Sequence, residues 1–353
     1  MRLTAQDGLW ATGGPLAGPP AVAVLEVAGA ILAWTVDDPA APVQLTFTDI
    51  AAADWLWRVT GAAGHVALLD AVRGAPADPQ SVLEVPGVTL DPQALAPLRR
   101  LALGHWLRRW WPASARDSIV ELDAAVLDAE LALLTAAVED FFVEDTLDSD
   151  VEALLAPHLS ALAGRQRSDD PRIAELVSAC ADLADWPDHD PIEAPTARRR
   201  DDYALAAGAG KFATAGMIAG GAASVSWSAV PPAVFDAAED TVTWSVRAAD
   251  SGAVVVDVRA AVTAPADGIA VRLRSGELAA DGVLSGDGTA RLVLPISETA
   301  AWNHDWSTAA VTLGAGDGED RAARERLRVF ARRRLAGPDD AFLAEVLAAE
   351  SDY

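Results

Sequence analysis

The sequence predicts an α+β multidomain protein: a small N-terminal α+β region, a central helical bundle, and a C-terminal antiparallel β-sandwich followed by terminal helices. Three observations carry that expectation. Residues 21–50 form short runs rich in branched and aromatic side chains, separated by turn signals. Residues 91–184 repeat apolar positions at spacings of three and four, the period of an amphipathic helix. Residues 222–314 return to short alternating runs bounded by Gly, Asp and Pro. At 353 residues the chain exceeds the usual reach of one core, and a 51% apolar content is enough to fill several.

The N-terminal region is assigned residues 1–90. VAVLEV, AILAWTV and VQLTFTDI read as a three-stranded meander with AG and DDPAAP as turns. Residues 51–73 follow as a helix that should bury Trp55, Leu56, Val59, Val66, Leu69 and Val72, and a proline-punctuated loop comes next. The bundle, residues 91–186, opens on LRRLALGHWLRRWW, Leu98–Trp111. There Leu103, Trp106, Leu107 and Trp110 make one apolar stripe, and His105, Arg108 and Arg109 project away from it. Leu127, Leu131, Leu134, Val138 and Phe141 give the clearest helical period in the chain. Residues 152–162 and 172–183 add two helices, with acidic start signals at 148–150 and 169–171.

A polar, proline-rich and then glycine-rich stretch, 187–221, reads as a linker. The sandwich is assigned 222–316, with strands in SVSWSAV, TVTWSVRA, AVVVDVRAAVTA, IAVRLRSG, ARLVLPI and STAAVTLG. Its portion VRLRSGELAADGVLSGDGTARLVLPI resembles the strand–turn–strand rhythm of prealbumin-like and immunoglobulin-like sandwich domains. That resemblance implies a fold and no activity. Residues 317–353 close with two helices. The first turns Ala323, Leu327, Phe330 and Ala331 inward among seven arginines, and the second buries Phe342, Leu343, Val346 and Leu347.

A net charge of −25 argues against nucleic acid or an anionic membrane as partner, since both select a positive face. Met1–Gly14 lacks a secretory leader pattern, and the apolar run 21–36 carries Glu26 and is too short to span a bilayer, so a cytoplasmic location is expected. Abundant alanine and a single lysine, Lys211, suggest a bacterial source. Cys180 is the only cysteine, which excludes an intramolecular disulfide and a cysteine-based zinc cluster.

Familiar catalytic patterns fail one by one. LAAGAGKF lacks the leading glycine and the trailing hydroxyl of a phosphate loop, and no GxSxG elbow occurs. EDFFVEDTLDSD lacks the central glycine of a calcium loop. His189 within DHD and His304 within NHD place an imidazole beside carboxylates, the chemistry of a general base, yet a turn explains either motif. No catalytic, cofactor or metal residue is therefore assigned. The interaction candidates are Arg108, Arg109, Trp302, His304, Asp305, Trp306 and Tyr353, the last at the end of a tail that reads as a docking peptide or a frayed terminus. The expected function is non-enzymatic protein–protein interaction, as an adaptor or accessory component of a bacterial multi-protein system with an unidentified protein partner. The alternatives are a hydrolase with a histidine–carboxylate site and a ligand- or glycan-binding module using the sandwich loops.

Overall fold

The computed structural model describes residues 1–78, 81–142, 147, 149–183, 216–249, 251–316 and 318–351. Among them thirteen strands form three antiparallel sheets beside the helices, an α+β multidomain architecture with terminal helices. The described residues fall into two units. Unit 1 takes those within 1–109, 122–183 and 332–351, and unit 2 those within 110–121 and 216–331.

Unit 1 contains a six-stranded sheet built from β1 (Arg2–Gln6), β2 (Leu9–Thr12), β3 (Val22–Val27), β4 (Ala30–Thr35), β5 (Gln44–Phe47) and β6 (Val82–Glu84). Its strand order is β3-β4-β5-β2-β1-β6. The meander is β3 to β5. The β3–β4 turn needs Gly29, because φ is +69° and an added Cβ would stand 2.1 Å from the Asp49 carbonyl oxygen. β1, β2 and β6 were not expected, although Asp7-Gly8, both at positive φ, is a strong hairpin signal. Leu3, Ala11, Leu32 and Leu45 supply the buried face of the sheet.

The helix α1 (Leu56–Arg73) departs from its expected face at one point. Val66 is 56% exposed, where an unbroken period would bury it. Gly61 breaks the helix at φ 72°, ψ 162°, so the phase set by Leu56 and Val59 does not carry past it. The Val59 carbonyl is thereby released to accept from the Asp91 N–H.

The remaining helices of this stretch are α2 (Ala96–Trp110), α3 (Ala124–Glu139), α4 (Val151–Leu155), α5 (Leu159–Arg165) and α6 (Pro171–Leu183). α3 is apolar nearly all round and is the one that α4, α5 and α6 pack upon. Asp123 caps it by accepting from the Ala125 and Val126 amides, and Asp150 does the same for α4. α2 buries Leu98, Leu101, Ala102, Gly104, Trp106 and Leu107, a wider face than the single stripe through Leu103 and Trp110.

Unit 2 is a β-sandwich. Its strands are β7 (Met217–Ala223), β8 (Val242–Ala248), β9 (Val254–Ala260), β10 (Ala270–Ser275), β11 (Leu278–Val283), β12 (Thr289–Leu294) and β13 (Ala310–Leu313). One sheet runs β12-β9-β8-β7 and the other β11-β10-β13. Val246, Val254, Val256 and Leu273, all fully buried, lie in the core between them. Three successive strands are neighbours in the first sheet, unlike the ABED/CFG order of constant-type immunoglobulin domains.

Two local expectations are corrected here. SVSWSAV is no strand but carries a 3-10 turn at Trp227–Ala229, because the Glu319 carboxylate takes the Trp227 and Ser228 amides. β7 begins at Met217, inside the stretch read as linker, and its Gly221 admits the Trp244 indole, which would lie 2.8 Å from an added Cβ. Residues 110–121, which read as part of the helical region, also belong to this unit: Ala113 accepts from the Ala237 amide, and the Asp236 carboxylate accepts from that of Ala115.

Short α7 (Glu298–Asn303) precedes β13, and α8 (Arg321–Leu335) belongs to unit 2 as far as Ala331. The final helix, α9 (Leu343–Ser351), is packed against α3 in unit 1, so the C-terminal tail through Ser351 is no free docking peptide. Its first amides are met by two carboxylates: Glu130 accepts from Leu343 and Ala344, and Glu345 accepts from Phe342. Phe342 is fully buried.

A Cβ on Gly104 would lie 2.3 Å from the Leu131 side chain and 3.1 Å from the Phe342 ring, so glycine sets the approach of these elements. Gly104→Ala gains helix propensity but overpacks this contact, and should lose about 1–2 kcal/mol net. Urea denaturation followed by tryptophan fluorescence checks this; an unchanged midpoint would mean that Leu131 and Phe342 yield freely.

Candidate functional site

The candidates divide between the two units. Arg108 and Arg109 belong to unit 1, and Trp302, His304, Asp305 and Trp306 to unit 2. Tyr353 and His189 lie outside the described residues, as does Lys211.

In unit 1 the polar side of α2 meets α3 and the chain that follows it. Arg108 Nε donates to both oxygens of Asp128, at 2.8 and 3.1 Å. Asp128 is 2% exposed, and His158 Nε2 stands 3.0 Å from its Oδ2. Nearby, the Thr135 hydroxyl donates to the Leu131 carbonyl, so it accepts from Ser149 at 2.6 Å. Ser149 in turn accepts from His105 Nε2 at 3.0 Å. His105 and Arg108 therefore serve α2–α3 packing, and Arg109 is half-buried. A buried carboxylate satisfied by a guanidinium and an imidazole holds helices together, and among the described residues no serine or cysteine nucleophile is bonded to that His–Asp pair.

In unit 2 the sequence neighbours Trp302 to Trp306 are built into a rigid corner. Ser297 caps α7, and Asp305 caps the following turn, Trp306–Thr308, by accepting from the Ser307 amide at 2.9 Å. The hydrogen bonds from Ser307 hold the Asp305 carboxyl below its ordinary value. His304 Nε2 lies 2.9 Å from Ser275 Oγ at the end of β10, a contact that reading by sequence spacing missed. The Trp306 ring meets His304 edge-on at 4.6 Å, and its Nε1 donates to the Ala301 carbonyl. Trp302 is 55% exposed and Trp306 is half-buried against the sandwich core.

A Ser–His pair is the beginning of a hydrolase, but three features here oppose that chemistry. Ser275 is 1% exposed on the inner face of its strand, out of reach of substrate. Its hydroxyl donates to the Asp305 carbonyl oxygen at 3.4 Å, leaving it to accept the imidazole proton rather than surrender its own. The Asp305 carboxylate, engaged by the Ser307 amide, does not orient the ring as a triad acid does. Cys180 is fully buried, and burial pushes its thiol up to about 11, far from a reactive thiolate. Among the described residues no group of three or more His, Cys, Asp or Glu is placed to hold a metal, and no helix is long and apolar enough to cross a membrane.

Arg324, Arg328 and Arg334 have internal partners. Glu239 accepts from Arg324 Nε and Nη2 at 2.9 and 3.0 Å, from Arg328 Nη1 at 3.0 Å and from Ser224. Arg324 and Arg328 are themselves 8% and 2% exposed, although the amphipathic pattern put arginines outside. No known family model matches the chain, and neither does any curated protein or solved structure.

Burial alone would raise the Glu239 carboxyl; the Arg324, Ser224 and Arg328 hydrogen bonds outweigh it and hold the group down to about 2 from 4.5. A depressed carboxylate stabilises the fold above its unfolded value, and the gain is lost as pH falls toward the folded one. Unit 2 should therefore lose on the order of 3 kcal/mol from this residue between pH ~4.5 and ~2. Thermal melts of the parent and Glu239→Gln across that range test it. The two curves should converge on acidification, and parallel curves would refute the assignment.

Proposed function

We propose that this chain is a non-enzymatic recognition protein, an adaptor or accessory component of a bacterial multi-protein system, and that the sandwich unit carries a contact surface. The supporting observation is Trp302. It stands 55% exposed on a corner whose neighbours are fixed by the Ser297 and Asp305 caps and the Ser275–His304 bond. A large aromatic presented on a pre-organised frame loses little entropy on binding, and tryptophan is the residue type most enriched among binding hot spots. The ligand- or glycan-platform alternative has less support, since Trp306 is half-buried and turned edge-on to His304 rather than offered as a second flat face.

The test compares tagged parent and Trp302→Ala in pull-downs from native lysate. A stoichiometric partner should accompany the parent and fall by about tenfold or more with the variant, the effect of losing a hot-spot tryptophan. Circular dichroism should be unchanged because the ring is largely in solvent. Equal recovery on both proteins, or no partner on either, would count against the proposal.

The hydrolase alternative draws its support from the 2.9 Å Ser275–His304 contact. A fluorophosphonate probe decides it: we expect no labelling of Ser275 in the folded protein. Labelling that disappears in Ser275→Ala would establish the enzyme reading instead.

A further inference from the structure

The outer face of the four-stranded sheet carries an unusual charge for this chain. Arg291 of β12 stands opposite Asp257 of β9, which stands opposite Ser245 of β8. Arg259 is one outward position along β9 in one direction, and Arg247 of β8 is paired one position the other way. These side chains line an open concavity of about 890 Å³ with Met217 and Val283 on its margin, 37% and 61% exposed. Three guanidiniums and one carboxylate are thus among the described residues that line it, in a protein of net charge −25. Asp257 is shared between Arg247 and Arg291. Arg259 has no ion-pair partner among the described residues, and the Ser245 hydroxyl on the floor has no hydrogen bond there. The Asp287 carboxylate in the adjoining turn is engaged by Ser285 and Thr289.

We propose that this groove binds an extended acidic peptide segment of a partner protein, its carboxylates on Arg259 and Arg291. The inference rests on the recognition reading and supplies its chemistry. Arginine forks match carboxylates in bidentate geometry. On one face of an extended peptide, carboxylates recur about every 7 Å, the same repeat that separates successive outward positions of the sheet beneath. The concavity is of the size that takes a few residues of such a segment. A long polyanion would extend beyond this local patch into the field of a chain of −25, whereas a short acidic segment is read within about one Debye length.

The test is calorimetric titration of the full chain with an acetylated hexapeptide of alternating glutamate and valine. Controls are the glutamine–valine peptide and inorganic phosphate. We expect a Kd of about 10–100 µM for the acidic peptide, weakened about tenfold or more by Arg259→Glu and by Arg291→Glu. Arg272→Glu makes the same charge change on the other sheet and should alter binding by less than about twofold. Arg259→Glu breaks no ion pair among the described residues, so its circular dichroism should match that of the parent. Lack of binding by the parent up to about 1 mM, equal binding of the glutamine peptide, or equal weakening by Arg272→Glu would each overturn the proposal. Phosphate binding as tight as the peptide would overturn it as well, by making this a simple anion site. Trp302 does not line the groove, so failure here leaves the pull-down comparison with Trp302→Ala to stand or fall separately.

Discussion

Unit 2 depends on the satisfaction of one largely buried carboxylate, that of Glu239. Taking Glu239 and two arginines out of water costs several kcal/mol per ion, and such a group is tolerable only when every lone pair and N–H finds a partner. Glu239 draws its partners from three separate pieces of chain. Ser224 comes from the end of β7, Arg324 and Arg328 from α8, and Arg116 from the 110–121 excursion donates to the Glu239 carbonyl. A hydrophobic replacement of similar volume would tolerate slippage of α8 by a turn; a charge network with fixed geometry does not. The arginines that look like a basic surface in the sequence are therefore the fasteners of an acidic protein.

Unit 1 solves the same problem at the start of α9. Burial raises the Glu130 carboxyl against the hydrogen bonds it accepts from Leu343 and Ala344. Glu345 is wholly buried and is met by the Arg334 fork as well as by the Phe342 amide. Two carboxylates at a helix N-terminus are favoured by the unpaired amides there, and Arg334 offsets their mutual repulsion. The C-terminal helix is thus fixed by charge at its start and by Phe342 in the pocket that Gly104 leaves.

Legibility in the sequence followed the physics of each signal. α3 was readable because its period runs unbroken from Leu127 to Val138, and β3 to β5 because their strands are short, branched and separated by turns. α1 was misread beyond Gly61 because a single backbone dihedral shifts the helical phase without changing composition. β7 was hidden because MIAGGAA has a single branched residue, Ile218, and no alternation of the kind that marks a strand; its Gly221 answers to the Trp244 ring, a tertiary demand. The corner from Trp302 to Trp306 drew notice from its residue types, but Ser275, its key partner, is distant in sequence and gave no local sign. The arginine face over Asp257 was equally silent, since Arg247, Arg259 and Arg291 become neighbours only through strand register.

The 110–121 excursion and the late return of the chain at Arg332 have a consequence for biosynthesis. Each unit is assembled from discontinuous segments. As the chain leaves the ribosome, the first sheet and α3 emerge early, yet the helix that brings Phe342 and takes the carboxylate cap comes from residues 332–351, made after the sandwich. The sandwich, whose pieces end at Ala331, has all of its sequence before then. The N-terminal part of the polypeptide is consequently the later of the two to become complete. The order in which the two units have all their segments is thus opposite to the order in which they begin.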